Sequence, residues 1–120
     1  MSALSLRRAD IVIVDFTPTN RAAQIRPAVV VQNDRDNARM SKTIMAFITS
    51  NLQRAAEDTQ YLIASNHADF RLSGLRRDSV VNCSNLYTIR QSDATRVIGR
   101  LAEATMQEID ACLKAALGIR

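Results

Sequence analysis

Residues 26–34 read Arg-Pro-Ala-Val-Val-Val-Gln-Asn-Asp, and the apolar centre of this stretch sets the fold class. The run Ala28–Val31 places apolar side chains on both faces of an extended chain, and its valines favour β structure. A strand that is apolar on both faces is typical of the middle of a sheet that is covered on each side. We therefore predict a central strand over Ala28–Gln32.

Further short apolar runs lie on either side of this strand and alternate with turn-prone polar segments. We predict strands over these runs, namely Ile11–Phe16, Thr43–Thr49, Tyr61–Ala64 and Ser79–Cys83. The segments 17–21, 33–41 and 51–59 are polar, and we predict loops there.

Near the C-terminus the apolar period changes from two residues to that of a helix. One helical face collects the apolar residues, which are Met106, Ile109, Leu113, Ala116 and Leu117. Gly118 suits a C-terminal cap, whereas no residue suited to an N-cap precedes Glu103. Strands followed by a terminal helix predict a compact, mainly antiparallel β barrel with α-helical cover.

Composition restricts the class of protein. The chain has 120 residues, the size of one domain, and we treat 1–120 as a single domain. A formal net charge of +4 favours a polyanionic partner. No stretch has the length of a membrane span or the pattern of a signal peptide. Because Cys83 and Cys112 show no paired motif, we expect both to be reduced core residues of a cytoplasmic protein.

The residues present exclude several kinds of active site. His67 is the only histidine, so a two-histidine acid–base ribonuclease is excluded, and we expect this residue in a solvated loop. The acidic cluster 34–37 lacks the glycine and glutamate of a calcium loop and is read as a charged turn. With three glycines in the chain, no glycine-rich phosphate cradle can be built.

Arginine and hydroxyl chemistry remains available at two dipeptides where a strand meets a loop. Arg26-Pro27 enters the central strand, and Thr49-Ser50 leaves the next one. The guanidinium fork of an arginine fits a phosphate. Each dipeptide taken alone nevertheless fits a structural role better than a functional one.

An ordered series of short sequence blocks favours the functional role of these two dipeptides. The blocks, in order, are Arg8-Ala9-Asp10-Ile11-Val12, Asp15-Phe16-Thr17-Pro18, Arg26-Pro27-Ala28-Val29-Val30-Val31-Gln32-Asn33-Asp34, Ala46-Phe47-Ile48-Thr49-Ser50, Asp78-Ser79-Val80-Val81, Ile98-Gly99-Arg100-Leu101, Met106 and Leu117-Gly118. Each block is weak, but the series, with its spacing, resembles the MazF/PemK family of toxin endoribonucleases along nearly the whole chain.

The resemblance implies an SH3-like barrel with a C-terminal helix, a homodimer, and cleavage of single-stranded RNA at short sequence motifs. It implies that no cofactor or metal is needed, because the substrate's own 2′-hydroxyl attacks and leaves a 2′,3′-cyclic phosphate. It also implies a cognate antitoxin whose disordered acidic tail blocks the site.

By position, the resemblance makes Arg26 and Thr49 the catalytic residues and Ser50 their small polar neighbour. Arg26 is expected to hold the scissile phosphate, and Thr49 to donate a hydrogen bond to it. We expect the RNA to contact a further set of polar residues, namely Asn20, Arg21, Gln24, Asn51, Ser84 and Asn85.

Departures from the family pattern keep two alternatives open. Ala9 stands where a glycine is usual, and Ser84 and Arg90 stand where acidic residues are common. In family members where the acidic residue at the position of Ser84 transfers a proton, serine cannot take over that role. One alternative is therefore a degenerate toxin that only binds RNA or antitoxin. The other is a non-catalytic inhibitor like the gyrase poison CcdB, which shares the barrel but does not need Arg26 with Thr49.

Overall fold

A computed structural model describes residues 5–15 and 25–120 of the chain. Its elements are β1 (Asp10–Asp15), β2 (Ile25–Val30), α1 (Asp34–Arg39), β3 (Lys42–Thr49), β4 (Gln60–Ile63), α2 (Phe70–Ser73), β5 (Ser79–Arg90), a 3₁₀ turn (Gln91–Asp93), β6 (Ala94–Arg100) and α3 (Glu103–Leu117). The strands form one antiparallel sheet in the order β4-β5-β3-β2-β1-β6.

Strand β2 lies between β1 and β3 and is covered on both faces, which confirms the predicted central strand. Ala28, Val29 and Val30 have no exposed surface. Val29 belongs to one apolar cluster, whereas Ala28 and Val30 belong to the cluster on the other face. The apolar run therefore joins two cores.

The larger cluster shows how the sheet curls. It brings Ile63 of edge strand β4 together with Ile98 of the opposite edge strand β6. Helix α3 covers this cluster with Met106, Ile109 and Cys112. The predicted class, a small mainly β barrel of SH3-like form with a C-terminal helix packed on it, is confirmed.

Helix α3 ends as predicted but takes its N-terminal cap from elsewhere in the chain. Gly118 adopts a left-handed φ of 69° at the C-terminal end. At the other end, one Asp69 carboxylate oxygen accepts hydrogen bonds from the Ala102 N–H at 2.9 Å and the Thr105 hydroxyl at 2.6 Å. Leu117 was expected on the packed face but is exposed. No helix within 5–15 and 25–120 is long and apolar enough to cross a membrane.

Strands β1, β3 and β4 each begin one residue earlier than predicted, and larger differences occur in β2, β5 and β6. β5 continues past Cys83 to Arg90, because its second half pairs with β3 around a bulge at residues 83–85. β6 was not predicted, and β2 begins at Ile25 and ends at Val30. Phe16 and the predicted loop 17–21 lie outside the described residues.

The predicted loop 33–41 contains the short helix α1. The Asn33 side chain caps this helix by accepting a hydrogen bond from the Asp36 N–H at 2.9 Å. Asn37 is buried and accepts the Thr43 hydroxyl at 2.6 Å. A polar segment therefore folds as a helix because side-chain hydrogen bonds replace the missing apolar face.

Three further residues bear on the sequence predictions. Cys83 and Cys112 are buried and unbridged, as expected, and burial raises the pKa of the Cys83 thiol to about 12. Ala9, which stands at the usual glycine position, has a φ of 82° while being almost fully buried. An L-residue in this region is strained.

Candidate active site

A cleft of about 620 Å³ opens where the start of β2 and the end of β3 meet β6 and the segment that follows α2. The cleft collects residues from separate parts of the chain. Its walls are formed by Ile13, Arg26, Pro27, Ile48, Thr49, Ser50, Gly74, Leu75, Arg76, Arg77, Ser79, Arg96, Val97 and Ile98. The three residues expected to be catalytic, Arg26, Thr49 and Ser50, therefore share one cavity.

Arg26 is the second residue of β2 and is exposed. Its backbone pairs with Val14 of β1, so a paired strand fixes the position from which the side chain extends. The planar fork of donors on its guanidinium suits a planar or tetrahedral oxyanion.

Thr49 is the last residue of β3 and is half-buried. Its hydroxyl oxygen accepts a hydrogen bond from the Asn51 N–H at 3.1 Å. Because a hydroxyl has one proton to donate as well as lone pairs to accept with, this contact directs the oxygen towards the turn and keeps its O–H as a donor. Ser50 follows on the exposed side of the same turn.

Four residues in the cleft were missed by the sequence analysis: Arg76, Arg77, Ser79 and Arg96. The two neighbouring arginines lie in the turn before β5, and Arg96 lies on β6, which was not predicted. The adjacent basic pair directly before the block Asp78-Ser79 was the available sequence signal.

The charge of the cleft is one-sided. Among the residues that the structure describes, its lining has four arginines and no carboxylate. Over the same ranges, no three His, Cys, Asp or Glu side chains are close enough to share a metal ion. A cleft lined by one sign of charge concentrates ions of the opposite sign.

The expected RNA contacts that the structure describes fall in two places. Asn51 lies beside the cleft, where its side-chain oxygen accepts the Gln53 N–H at 3.0 Å. Ser84 and Asn85 lie in the β5 bulge, four and five residues beyond Val80, the partner of Thr49. At about 3.3 Å per residue this places Ser84 roughly 13 Å along the strand. These residues do not line the cleft, and Asn20, Arg21 and Gln24 lie outside the described residues.

His67 also lies away from the cleft; it is in the loop between β4 and α2, as expected, but is less exposed than a solvated position. It is half-buried, with Nε2 2.7 Å from the Tyr61 hydroxyl and Nδ1 accepting the Asp69 N–H at 2.9 Å. The Tyr61 hydroxyl in turn donates to Glu108 at 3.1 Å. Burial and the neighbouring Glu108 carboxylate raise the pKa of Tyr61 to about 12. This network joins β4 to α3 and is structural.

Comparison with known proteins places this geometry in a family. The family model described as PemK-like, MazF-like toxin of type II toxin-antitoxin system matches residues 7–117. The chain is 32% identical to endoribonuclease MazF6 of Mycobacterium tuberculosis over 95% of its own length and 98% of the relative's. It is 30% identical to endoribonuclease EndoA of Bacillus subtilis, covering 95% and 96% of the two chains.

Solved structures agree on the fold. A mycobacterial endoribonuclease superposes with a TM-score of 0.76 at 20% identity, covering 99% of this chain and 97% of the other. A mycobacterial endoribonuclease in complex with its cognate antitoxin gives 0.74 at 20% identity, covering 96% and 97%.

Proposed function

Because the chain belongs to the family of PemK-like, MazF-like toxins of type II toxin-antitoxin systems, we propose that it is a sequence-specific endoribonuclease. It cleaves single-stranded RNA in the cytoplasm, as a single-domain toxin that needs no metal. The observation that carries this proposal is the cleft that joins Arg26, Thr49 and Ser50 in a lining of four arginines without a carboxylate among the described residues. The named relatives at 30–32% identity are endoribonucleases.

The residues of the cleft supply charge stabilisation to a transesterification. The 2′-oxygen of the substrate bonds to phosphorus as the P–O5′ bond breaks, the 2′-hydroxyl loses its proton and the 5′-oxygen gains one. Arg26 binds the scissile phosphate and stabilises the extra negative charge of the pentavalent state. It does not act as a base, because a guanidinium is not deprotonated in proteins.

Thr49 complements Arg26 with a neutral donor. Its oxygen is held by the Asn51 N–H, so its own proton is directed to a non-bridging phosphate oxygen. Ser50 supplies a second hydroxyl on the exposed side. We assign base or backbone contacts further along the RNA to Asn51, Ser84 and Asn85, and to Asn20, Arg21 and Gln24 of the β1–β2 connection.

Two protein partners belong to the proposal. One is a second copy of this chain, since a barrel of this size gains buried apolar surface by pairing. The other is a cognate antitoxin, for which we propose a disordered acidic tail; a structurally similar mycobacterial endoribonuclease has been solved in complex with its cognate antitoxin. An acidic tail suits a chain of net charge +4 whose cleft is lined by arginines. Light scattering that gives a monomer at micromolar concentration would contradict the dimer.

The decisive experiment measures cleavage of a single-stranded RNA panel in excess EDTA. We expect cleavage with 2′,3′-cyclic phosphate ends, readable by mass, and resistance of a substrate that has deoxyribose at the cut. Arg26→Ala should lower the rate by about 10²–10³, by analogy with removal of one oxyanion donor. Thr49→Ala should lower it less.

Arg35→Ala is the matched control, because Arg35 is an exposed arginine of α1, beyond the other end of β2. It removes the same charge and should leave the rate nearly unchanged. Cleavage that requires magnesium would contradict the mechanism. A folded wild-type protein that cuts no RNA would favour the CcdB-like inhibitor or the degenerate RNA-binding toxin.

A further inference from the structure

The cleft holds more positive charge than one scissile phosphate requires. Arg26 with Thr49 and Ser50 supplies the donors for one phosphate, yet Arg76, Arg77 and Arg96 line the same cavity. A cavity of about 620 Å³ lies within the range of roughly 300–1,000 Å³ that holds ligands larger than a single phosphate. The cleft therefore has both the room and the charge for a second group.

Two arginines of this surplus are held in place by tight backbone packing between the α2 segment and β6. A Cβ added to Gly74, whose φ is 74°, would lie 2.2 Å from the Ile98 carbonyl oxygen. A Cβ added to Gly99 would lie 2.2 Å from the Leu72 carbonyl oxygen. These two contacts fix the turn that carries Arg76 against the strand that carries Arg96, so the two positions form one rigid wall.

Within the part of the chain that the structure describes, these arginines have no acidic partner. Over residues 5–15 and 25–120, Arg76, Arg77 and Arg96 form no salt bridge. The adjacent Asp78 carboxylate instead accepts the Ser65 N–H at 2.7 Å. Like charges gathered without counter-charges repel one another, and a bound anion relieves that repulsion.

The sheet register separates this wall from the catalytic arginine. Pro27 of β2 pairs with Ile13 of β1, and Ile13 pairs with Arg96 of β6. Two strand spacings of about 4.8 Å place the Arg96 backbone roughly 10 Å across the sheet from the strand that carries Arg26. A phosphate centred between Arg26 and Thr49 therefore leaves Arg96 to contact another part of the RNA.

We infer that Arg76 and Arg96 form a second phosphate subsite, which binds the phosphodiester next to the scissile one. The inference rests on the proposed function, since it places an RNA strand in the cleft. It implies that a good substrate carries at least two phosphodiesters, and that these arginines fix the register of the strand without reading a base.

The test replaces one phosphodiester at a time by an uncharged methylphosphonate along a short RNA, with deoxyribose at the cut so that the RNA is not cleaved. Affinity for the wild-type protein should fall about 10- to 30-fold at one linkage beside the scissile position. The double variant Arg76→Ala/Arg96→Ala should bind the unmodified RNA more weakly by a similar factor. In that variant the methylphosphonate should cause no further loss, because the charge it removes no longer has a partner.

Arg35→Ala/Arg39→Ala is the control, since it removes the same charge from exposed positions of α1. It should retain the full methylphosphonate effect. If the effect at every linkage is as large in the Arg76→Ala/Arg96→Ala protein as in wild type, the subsite is disproved. If that variant binds RNA normally, the inference is equally disproved, and the arginines are left for an acidic peptide of a protein partner.

The readout is binding, so it is independent of the cleavage assay. A protein that binds with this pattern but does not cut would overturn the proposed function and leave the subsite standing. Circular dichroism checks that both double variants are folded, which is expected because all four side chains are exposed.

Discussion

Two arginines near opposite ends of strand β6 have different surroundings. Arg100 pairs in register with Asp10 of β1, and their side chains form a salt bridge of 2.9 Å. Arg96, four residues earlier, pairs in register with Ile13 and lines the cleft. The same residue type thus forms an ion pair where its neighbour is a carboxylate, and lines the candidate cleft where its neighbour is apolar.

The end of the sheet that carries Arg100 holds a second paired arginine. Near the start of β1, Arg8 forms a salt bridge with Asp110 of α3 and donates from Nε to the Val31 carbonyl at 3.0 Å. Its backbone N–H donates to Asp34, and this contact is the main reason that the pKa of the Asp34 carboxyl is lowered. Arg8 and Arg100 are therefore held by protein groups at this end of the sheet, whereas Arg76, Arg77 and Arg96 of the cleft form no salt bridge among the described residues.

The largest effect should come from replacing an arginine of each kind by lysine. Arg26→Lys should cleave at least about 10²-fold more slowly than wild type, because a point charge does not reproduce the bidentate fork. Arg100→Lys should cleave at nearly the wild-type rate, since lysine can still face Asp10. Single-turnover cleavage of one RNA measures both. If the Arg26→Lys protein cleaves as fast as wild type, Arg26 and Arg100 do not differ in their importance for cleavage.

Asp69 is a carboxylate that, like Arg100, is bonded to other groups of the protein and stabilises the fold. Asp69→Ala removes the acceptor of the Ala102 N–H and of the buried Thr105 hydroxyl. We expect the free energy of unfolding to fall by about 2–3 kcal/mol, while cleavage per folded molecule is kept. Urea denaturation measures the loss. Asp58→Ala, an exposed aspartate, is the control and should change stability by less than about 0.5 kcal/mol.

The contribution of Asp69 to stability should depend on pH. Burial raises the pKa of Asp69, but the hydrogen bonds from Thr105 and the Ala102 N–H, together with the neighbouring His67, outweigh it, so the pKa is lowered in the folded protein. A lowered native pKa means that the unfolded chain binds the proton more readily, so the stabilisation is present above the unfolded value of about 3.9 and is lost below it. Stability should therefore fall as the pH drops below about 4. The Asp69→Asn protein should start from a lower stability and should lose less stability than wild type as the pH drops below about 4. If its stability falls as steeply with pH as that of wild type, Asp69 is not the carboxylate responsible.

A smaller difference should separate the two arginines of β6 in stability. Arg100→Ala should lower the free energy of unfolding by about 0.5 kcal/mol, the usual size for an exposed ion pair. Arg96→Ala should be neutral or slightly stabilising, because it relieves repulsion from Arg76 and Arg77. Added salt should narrow the gap between the variants. Equal losses in both variants would show that Arg96 has a structural partner after all.

The smallest effect is expected at Ala9. Ala9→Gly relieves roughly 1–2 kcal/mol of left-handed strain. It also loses a buried methyl worth about 0.8 kcal/mol and increases the freedom of the unfolded chain by about 0.4–1 kcal/mol. Stability should stay within about 0.5 kcal/mol of wild type. Ala28→Gly, at a fully buried position of β2 without a positive φ, should instead cost about 1–2 kcal/mol in the same urea titration.

What the sequence could predict depended on whether a signal was local. β2 and α3 were predictable, because an apolar run and a helical period are properties of neighbouring residues. β6 was not, since every one of its residues is exposed or half-buried and an edge strand of this kind lacks alternation. α1 was missed because it is a short polar helix stabilised by the side chains of Asn33 and Asn37 rather than by an apolar face.

The candidate site divides in the same way. Arg26 and Thr49 were predicted because they fall within an ordered series of family blocks. Arg76 and Arg96 were not, because their neighbourhood is created by the packing of Gly74 and Gly99 between elements that no local pattern indicated. Register between distant strands is the information that one sequence does not display.

The cap that Asp69 places on α3 also has a consequence for the order of folding. An isolated helix of this length is marginal in water, and α3 receives its cap from a residue 33 positions earlier in the chain. The helix is therefore expected to become stable only after the α2 segment has docked, late in folding. Its amide protons should then exchange with solvent at the rate set by unfolding of the whole barrel rather than by fraying of the C-terminus.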